Sequence, residues 1–219
     1  MGIHVLYEDN DLIVCEKPVG ISSESPGLPD LLSDQTGIGL FPVHRLDQGT
    51  GGAVILAKSR TACSRLQDEF VSDLVKKEYL AVVGGVLPHS SGVFEDYLFH
   101  DKRTNKTYVV DRIRAGVKKA SCSWSFLDSV LLNGNTYTLV RIRLHTGRTH
   151  QIRVQFGSRR LPLIGDRRYG SGIKAGSPAL WSCRIVFPHP MRPSDMVDIS
   201  SLPPDLFPWN MFHIIPSGM

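Results

Sequence analysis

The sequence lacks the features that mark secreted, membrane-spanning and disulfide-stabilised proteins. It has only four cysteines, and no two of them form a C-x-x-C pair, which argues against a zinc ribbon or a thioredoxin-like redox motif and predicts free thiols in a reducing compartment. The N-terminus has no basic region followed by an apolar stretch, and no apolar run is long enough to span a bilayer. We therefore expect a soluble, cytoplasmic protein without a membrane partner.

Internal repeats and low-complexity tracts are also missing. The 219 residues are 42% hydrophobic and 21% charged, which excludes a disordered chain and allows a sizeable core. This length suits one large domain or two small ones. The formal net charge of +4 permits an anionic partner without requiring one.

Short apolar runs separated by turn residues predict buried strands. The clearest of these runs are residues 12–15, 53–57, 78–83 and 180–187. Two further predicted strands, residues 121–127 and 136–144, flank the turn sequence Asn-Gly-Asn and indicate a hairpin. Several strands thus follow one another in hairpin order.

Helices are fewer in the predicted structure. Ser59 is placed to cap a helix in which apolar residues recur at helical spacing, and residues 149–156 suit a second, short helix. Residues 22–39 are dense in Ser, Pro and Gly and predict a surface loop, and the tail from Met191 is rich in proline. The sequence therefore predicts an α+β fold with a mixed, mostly antiparallel central sheet flanked by helices and loops.

Positive charge is concentrated in one stretch of the chain. Residues 141–168 hold eight arginines and a single acid, Asp166, and a second basic cluster occupies residues 102–119. Solvated strand faces would explain both clusters, but arginine is favoured where phosphate is recognised by two parallel hydrogen bonds. A polyanion such as RNA would also gain affinity by releasing counterions. The pattern favours a nucleic acid over other partners and names no reaction.

The first segment suited to chemistry is residues 44–52. It places Asp47 at the mouth of a glycine-rich loop just before a buried strand, where glycines permit the close approach of a ligand. A plain turn in which Asp47 accepts hydrogen bonds from neighbouring N–H groups explains these residues equally well. The order His-Arg-Leu-Asp differs from the His-Arg-Asp of kinases and no phosphate-binding loop is present, so no nucleotide cofactor is predicted.

The second segment, residues 144–155, crowds Arg148, His150, Gln151 and Arg153 after the end of a predicted strand. These four side chains cannot all be buried without partners except at high cost, which favours a binding or catalytic site. A helix start capped by Thr149, with a solvated polar face, is the alternative. The two histidines of the segment are five residues apart and do not form the zinc pair of a helical H-E-x-x-H motif, so no metal is predicted.

Together these two segments resemble the RluA family of RNA pseudouridine synthases. The resemblance rests on His-Arg-Leu-Asp at residues 44–47, with Thr50 and Gly52, and on Gly-Arg-Thr-His-Gln-Ile-Arg at residues 147–153. Further landmarks of the family occur in its order at residues 7–9, 17–20, 77–84, 164–170 and 187–190. The resemblance implies the pseudouridine synthase catalytic fold in a single domain over residues 1–219, without the N-terminal S4 RNA-binding domain that is frequent in the family.

The resemblance also implies a reaction and three catalytic residues. Uridine in structured RNA, either rRNA or tRNA, would be isomerised to pseudouridine: the N1–C1′ bond breaks, the uracil turns, and C5 bonds to C1′, without a cofactor. Asp47 would be the ionised nucleophile or base, and the guanidinium of Arg153 would keep it ionised in a water-poor site. Tyr79 would stack on the target base and help to remove the C5 proton.

Contacts with RNA are implied in the same way. The target uridine must be flipped out of its stack, and Arg45, two residues before the acid, would fill the gap. The other residues expected to contact phosphates or base edges are Lys17, His44, Arg148, His150 and Gln151. We expect RNA in preference to DNA, because folded RNA offers unstacked loops and 2′-hydroxyls. A monomer is expected.

Three positions depart from the family pattern. Gly51 replaces the usual serine, while Gln155 and Trp181 stand where histidine is common, and we expect these departures to affect substrate choice or local packing. Two other functions stay open from the sequence. A non-catalytic RNA-binding or ribosome-assembly protein would use the basic surface without needing Asp47, and a glycosidase would normally need two carboxylates near the bond, of which only one stands out.

Overall fold

A computed structural model describes residues 2–213. It confirms the predicted α+β fold, because this part of the chain forms eleven strands and three α-helices. The chain divides into two compact units: the first comprises residues 2–78 and 181–203, and the second comprises residues 79–180 and 204–213. Among the described residues, no helix is both long enough and apolar enough to cross a membrane.

The first unit is built on a mixed sheet. Its strands are β1 (Val5–Glu8), β2 (Leu12–Lys17), β3 (Phe41–Pro42), β4 (Gly51–Ala57), β10 (Leu180–His189) and β11 (Arg192–Ser200). They lie in the order β1-β2-β4-β10-β11, and β3 also pairs with β4. Every pair is antiparallel except β4 with β10, which run parallel and place Gly51 beside Trp181.

Two helices belong to the first unit, α1 (Leu28–Thr36) and α2 (Arg60–Val71). The predicted cap of α2 is confirmed, because the Ser59 hydroxyl accepts a hydrogen bond from the Ala62 N–H at 3.1 Å. The buried face of α2 contributes Ala62 and Leu66 to a core that also contains Ile55 of β4 and Phe187 of β10. Strand β4 is buried along its whole length, which explains its unbroken apolar sequence.

The second unit contains the rest of the strands and one helix. These elements are β5 (Lys76–Gly84, which begins in the first unit), β6 (Ser91–Asp101), β7 (Lys106–Val110), β8 (Val117–Leu132), β9 (Asn135–Leu144) and α3 (Gln151–Gly157). The strand order is β5-β9-β8-β6-β7, with antiparallel pairing from β9 to β7. The predicted hairpin is β8–β9, and positive φ angles of 51° at Asn133 and 74° at Gly134 form its tight turn.

The structure corrects one sequence-based expectation about loops. Residues 22–39, predicted as a surface loop, contain α1, whose Leu28 and Leu32 are fully buried and whose end is closed by Gly37 at φ 73°. Because turn residues surround this helix, the sequence pattern did not reveal its buried leucines.

Part of the proline-rich tail is a strand. Residues 192–200 form β11, which pairs with β10 and places Val197 opposite Phe187.

Candidate active site

Asp47 lies in the first unit, in the turn that leads into β4. The Thr50 N–H donates to the Asp47 carbonyl at 2.9 Å, which closes the turn, and the Asp47 side chain is half-buried. Gly52, just beyond the turn, has φ 109°, and a Cβ there would lie 2.3 Å from the Ser182 carbonyl oxygen. Only glycine fits this backbone, so the glycine-rich sequence after Asp47 has a definite structural cause.

Lys17 stabilises the Asp47 turn through hydrogen bonds to backbone carbonyls. Its side chain is fully buried, and its ammonium donates to the carbonyl oxygens of Pro18 at 2.9 Å, Ile21 at 2.8 Å and Gln48 at 3.3 Å. Burial lowers the pKa of Lys17 to about 8, while the negative charge of Asp47 acts in the opposite direction. All three donors of the ammonium serve the backbone. Lys17 therefore organises the turn, and its expected contact with RNA stays a prediction.

His44 also has a packing role. Its Nε2 accepts a hydrogen bond from the Ile55 N–H at 3.1 Å, and its ring stacks on Phe70 with the ring centres 4.7 Å apart. Burial, assisted by the positive charge of Lys77, lowers the pKa of His44 to about 3. A neutral imidazole whose Nε2 is engaged offers no cation to a phosphate. His44 therefore packs against β4 and α2 in this structure, and its expected contact with RNA stays a prediction.

Arg45 differs from these two residues because it faces solvent. Its Nη1 lies 3.0 Å from Glu24 Oε1, and the side chains of both residues are more than half exposed. An exposed pair of this kind contributes little stability and can exchange its carboxylate for another anion at small cost. The placement suits the RNA contact expected of Arg45, which stays a prediction.

Arg153 lies in the second unit, in the first turn of α3. Its Nε and Nη2 donate to the two carboxylate oxygens of Asp166 at 2.7 and 2.9 Å, and the exposed fractions of the two side chains are 10% and 1%. This bidentate geometry fixes the plane of the guanidinium. Asp166 was only a family landmark in the sequence, although it is the single acid among eight arginines. The pairing of Arg153 with Asp47 stays a prediction.

His150 is joined to Arg153 through Tyr169. The Tyr169 hydroxyl accepts from the Thr107 N–H at 2.9 Å and lies within hydrogen-bond distance of His150 Nδ1, also at 2.9 Å. The Tyr169 ring also lies 5.2 Å from the guanidinium carbon of Arg153. Burial raises the pKa of Tyr169, which keeps the hydroxyl protonated. His150, with φ 55°, begins α3 in place of the expected cap Thr149.

Gln151 and Arg148 lie at the start of α3. The Gln151 Oε1 accepts from the Arg148 N–H at 3.0 Å and from the Thr146 hydroxyl at 2.8 Å, while its Nε2 donates to the Ser121 carbonyl at 3.1 Å. The buried amide of Gln151 therefore fixes the backbone of this segment, and its expected contact with RNA stays a prediction. Arg148 is exposed, and its Nε donates to the Lys119 carbonyl at 3.1 Å.

Tyr79 is buried on β5, at the start of the second unit. Within each unit the structure thus gathers the predicted residues into a group. The first group is Asp47 with Lys17 beneath its turn, and the second is Arg153 with His150, Tyr169 and Asp166. Tyr169 and Asp166 are the members that the sequence did not assign to the site.

Two of the three departures from the family pattern explain each other. A Cβ on Gly51 would lie 2.2 Å from Cζ3 of Trp181, so the large indole requires glycine at the neighbouring position. The indole N–H donates to the Ser201 hydroxyl at 3.0 Å, which in turn donates to Glu16 at 2.8 Å. These departures therefore affect packing next to the Asp47 turn.

The third departure, Gln155, is part of the interior of the second unit. Its fully buried amide donates to Asp96 Oδ2 at 2.8 Å and accepts from the Cys122 thiol at 3.4 Å. Arg159 completes the cluster through two hydrogen bonds of 3.0 Å to the same Asp96. Gln155 therefore serves local packing between α3, β6 and β8.

Asp9, Asp11 and His189, within residues 2–213, form a group close enough to hold a cation. Hydrogen bonds already account for its geometry. His189 Nδ1 accepts from the N–H groups of Met191 and Arg192, so its Nε2 carries the proton that it donates to Asp9 at 2.7 Å. The Arg192 guanidinium lies 3.2 Å from the same carboxylate. The group joins β1, β10 and β11 as an ion-paired cluster.

Comparison with known proteins identifies the family. A model of the family described as RNA pseudouridylate synthase matches residues 11–158. The protein named uncharacterized RNA pseudouridine synthase YlyB, from Bacillus subtilis (strain 168), is 32% identical over 223 residues, which cover 94% of this chain and 71% of that protein. Ribosomal large subunit pseudouridine synthase D of Borreliella burgdorferi is 32% identical over 185 residues, which cover 77% of this chain and 55% of that protein.

The solved structure of human RNA pseudouridylate synthase domain containing 1 has a TM-score of 0.81 to this chain at 22% identity, covering 94% of this chain and 85% of that one. This likeness shows the fold. The matched region 11–158 contains Asp47, Tyr79 and Arg153 and is more than half of the chain. The resemblance seen in the sequence is confirmed, and the chain belongs to the RNA pseudouridylate synthase family.

Proposed function

We propose that the protein is an isomerase that converts uridine in RNA to pseudouridine, with Asp47 as the catalytic carboxylate. The observation that carries this proposal is the family match over residues 11–158, which includes the Asp47 turn, Tyr79 and Arg153. In this reaction the N1–C1′ bond breaks, the uracil is retained and turned, and C5 bonds to C1′. The proton lost from C5 is balanced by one gained at N1, and no electron is transferred, so the reaction needs no redox cofactor.

Asp47 must be ionised to act as a nucleophile or base toward the nucleotide. The turn around it supports this role, because the buried Lys17 ammonium holds the neighbouring Gln48 carbonyl and so fixes the backbone at residue 47. Arg153 is the second cation that we assign to the catalytic machinery. Its bidentate pair with Asp166 sets the orientation of the guanidinium before any RNA binds. Tyr79 would stack on the flipped base and help to remove the C5 proton.

The proposed substrate is structured RNA, either rRNA or tRNA. A relative named ribosomal large subunit pseudouridine synthase D favours rRNA. Flipping a uridine costs a few kcal/mol, and the exposed Arg45 beside the catalytic turn can occupy the gap in the stack. Exposed Arg148 and the polar edge of His150 would then bind phosphates or base edges. We further propose that the protein acts as a monomer in the cytoplasm and needs no nucleotide cofactor.

The test is tritium release from 5-labelled uridine in RNA isolated from cells that lack the gene. Asp47→Asn should abolish release while leaving RNA affinity within a few fold. Asp34→Asn, the same chemical change at an exposed position of α1 in the same unit, should leave the rate unchanged. Full activity of Asp47→Asn would refute the catalytic assignment.

The same experiment separates the other two functions. A non-catalytic RNA-binding protein would release no tritium in any form, including the unmodified chain. A glycosidase would release free uracil, whereas an isomerase retains the base in the RNA chain. Chromatography of the products for uracil therefore decides between hydrolysis and isomerisation.

A further inference from the structure

The sheet of the second unit has one face covered by α3 and one open face. Alternation along β6 directs Phe94 and Leu98 toward α3, where Phe94 packs against Phe156 and Leu98 belongs to a small core with Val154. The intervening residues point to the opposite side. There Val93 is 61% exposed and Tyr97 is 37% exposed. No element of this unit among the described residues packs on that side strongly enough to bury these side chains.

Three aromatic side chains are neighbours on the open face. Phe99 of β6 lies directly opposite Tyr108 of β7, and Tyr97 follows two residues earlier on β6, so all three point the same way. Tyr108 is 41% exposed. Two aromatic residues two positions apart on one strand, with a third opposite on the next strand, present ring faces at several points along a sheet. Sheets that bind RNA use this device to stack two or three bases.

Cations surround these rings. The Lys106 ammonium lies 5.4 Å from the ring centre of Tyr108, and the Arg114 guanidinium lies 5.1 Å from that of Phe99. Lys119 of β8 lies directly opposite Tyr97 in the ladder. These two cations lie over the ring faces as cation–π pairs, so a base that stacks there displaces a flexible side chain, whose charge is then next to the phosphates of the bound strand.

Charge on the remainder of the face is also mainly positive. Glu95 is its exposed acid next to the rings, and it pairs with Lys119 at 3.2 Å. Arg143 of β9, opposite Ser123, is exposed and extends the positive charge across the sheet. Because the charge of this face is mainly positive, a polyanion is favoured as its occupant, and a protein surface with few acidic residues is disfavoured.

We propose that this aromatic face, defined as Tyr97, Phe99 and Tyr108 with Lys106, Arg114 and Lys119, binds a single-stranded segment of the RNA substrate away from the uridine that is isomerised. The proposal rests on the proposed function in taking RNA as the polymer. It adds a second contact, because Arg153 and His150 belong to the α3 side of this sheet. Lys106 lies at the edge between the two sides, 5.4 Å from the ring centre of Tyr108 and 5.9 Å from that of Tyr169. The chain would therefore hold a structured RNA at two places and prefer substrates with an unpaired flank.

The binding experiment uses the full chain and a fluorescein-labelled ten-nucleotide oligouridine, which has no stem. Fluorescence anisotropy gives the Kd for the unmodified protein and for Tyr97→Ala/Tyr108→Ala. Stacking on an aromatic side chain is strong enough that losing two rings should raise the Kd about tenfold or more. The matched control is Phe126→Ala, since Phe126 is 41% exposed but belongs to the alternate set of β8 side chains, and its Kd should change by less than twofold.

A second measurement does not depend on the variants. Oligouridine carrying 5-iodouridine should crosslink under ultraviolet light to peptides from residues 91–110 of the unmodified chain. An unchanged Kd for the double variant, or crosslinks confined to residues 40–60 and 145–170, would overturn the proposal. Exclusive binding of a protein partner to this face, with no oligouridine bound, would do the same. Pseudouridine formation in RNA from cells that lack the gene is measured in parallel, so failure of the aromatic face and failure of the proposed function give different results.

Discussion

Asp166→Asn tests whether the orientation of Arg153 is set by its buried partner. In the structure both carboxylate oxygens of Asp166 accept from Arg153, at 2.7 and 2.9 Å, and the Asp166 side chain is 1% exposed. The amide keeps one acceptor but presents an N–H group to the second donor and removes the negative charge of Asp166. Removing one partner of a buried ion pair is strongly destabilising.

The expected loss can be bounded from these contacts. Breaking a buried ion pair by removing one partner costs about 3–5 kcal/mol, and the retained acceptor recovers about 1 kcal/mol of that cost. For a chain of this length a loss of about 2–4 kcal/mol lowers Tm by about 5–12 °C. Activity should fall at least about tenfold at a temperature where the variant is still folded, because a small change in the position of a charged group weakens transition-state stabilisation.

The matched control is Asp198→Asn. Asp198 also accepts two hydrogen bonds from one arginine, Arg184, but the pair lies at the surface with side chains 27% and 46% exposed. Its loss should cost less than about 1 kcal/mol and leave activity unchanged. Thermal unfolding and tritium release on both variants give the comparison. Equal Tm values, or an Asp166→Asn enzyme as active as the unmodified one, would refute the positioning role.

Three further predictions follow from the site. The pKa of His44 falls from 6.5 to about 3 on folding, so between these pH values the unfolded chain binds a proton that the folded chain does not. The stability contributed by the neutral His44 is therefore fully present above pH 6.5 and is lost as the pH falls toward 3. Urea unfolding should show about 2–3 kcal/mol of this loss at pH 4.5, and His44→Gln should lack that component; an identical pH dependence in the variant would contradict it. Gly51→Ser should lower the free energy of unfolding by about 1–3 kcal/mol, because the new side chain clashes with Trp181. Adding Trp181→His to this variant should recover part of the loss. Strict additivity of the two changes in a double-mutant cycle would refute the coupling. Lys17→Met, which removes the donors beneath the Asp47 turn, should reduce kcat at least about tenfold with little change in affinity for RNA; a variant with normal kcat would show that the turn needs no such support.

Most of the fold could be predicted from the sequence because its strands carry local signals. The apolar run of β4 and the Asn-Gly turn at Asn133 each specify their conformation within a few residues. The helix α1 was missed because its neighbours are turn residues, and only two leucines four positions apart mark its buried side. Strand β11 was missed because its residues are mostly exposed and it is defined by pairing with β10.

The sequence motifs indicate which residues belong to the candidate site, but they say less about the role of each residue. The motifs identify the family, which the comparison confirms, while the catalytic roles of Asp47 and Arg153 stay predictions. The motifs do not show which polar side chains have partners inside the protein, and for this reason the hydrogen bonds of Lys17, His44 and Gln151 to the backbone were not foreseen. Whether a polar side chain finds partners inside the protein depends on contacts distant in sequence, such as Lys17 with the Gln48 carbonyl. The partner of Arg153, Asp166, likewise emerges only from the folded chain.

The most direct test of the proposed reaction is pseudouridine mapping of total RNA at nucleotide resolution. The comparison uses cells with the gene, cells without it, and cells in which it is replaced by the Asp47→Asn form. We predict that one or a few uridines in rRNA or tRNA lose their modification without the gene, and that the unmodified protein restores it whereas the Asp47→Asn protein does not. Identical maps with and without the gene, or full restoration by Asp47→Asn, would contradict the account.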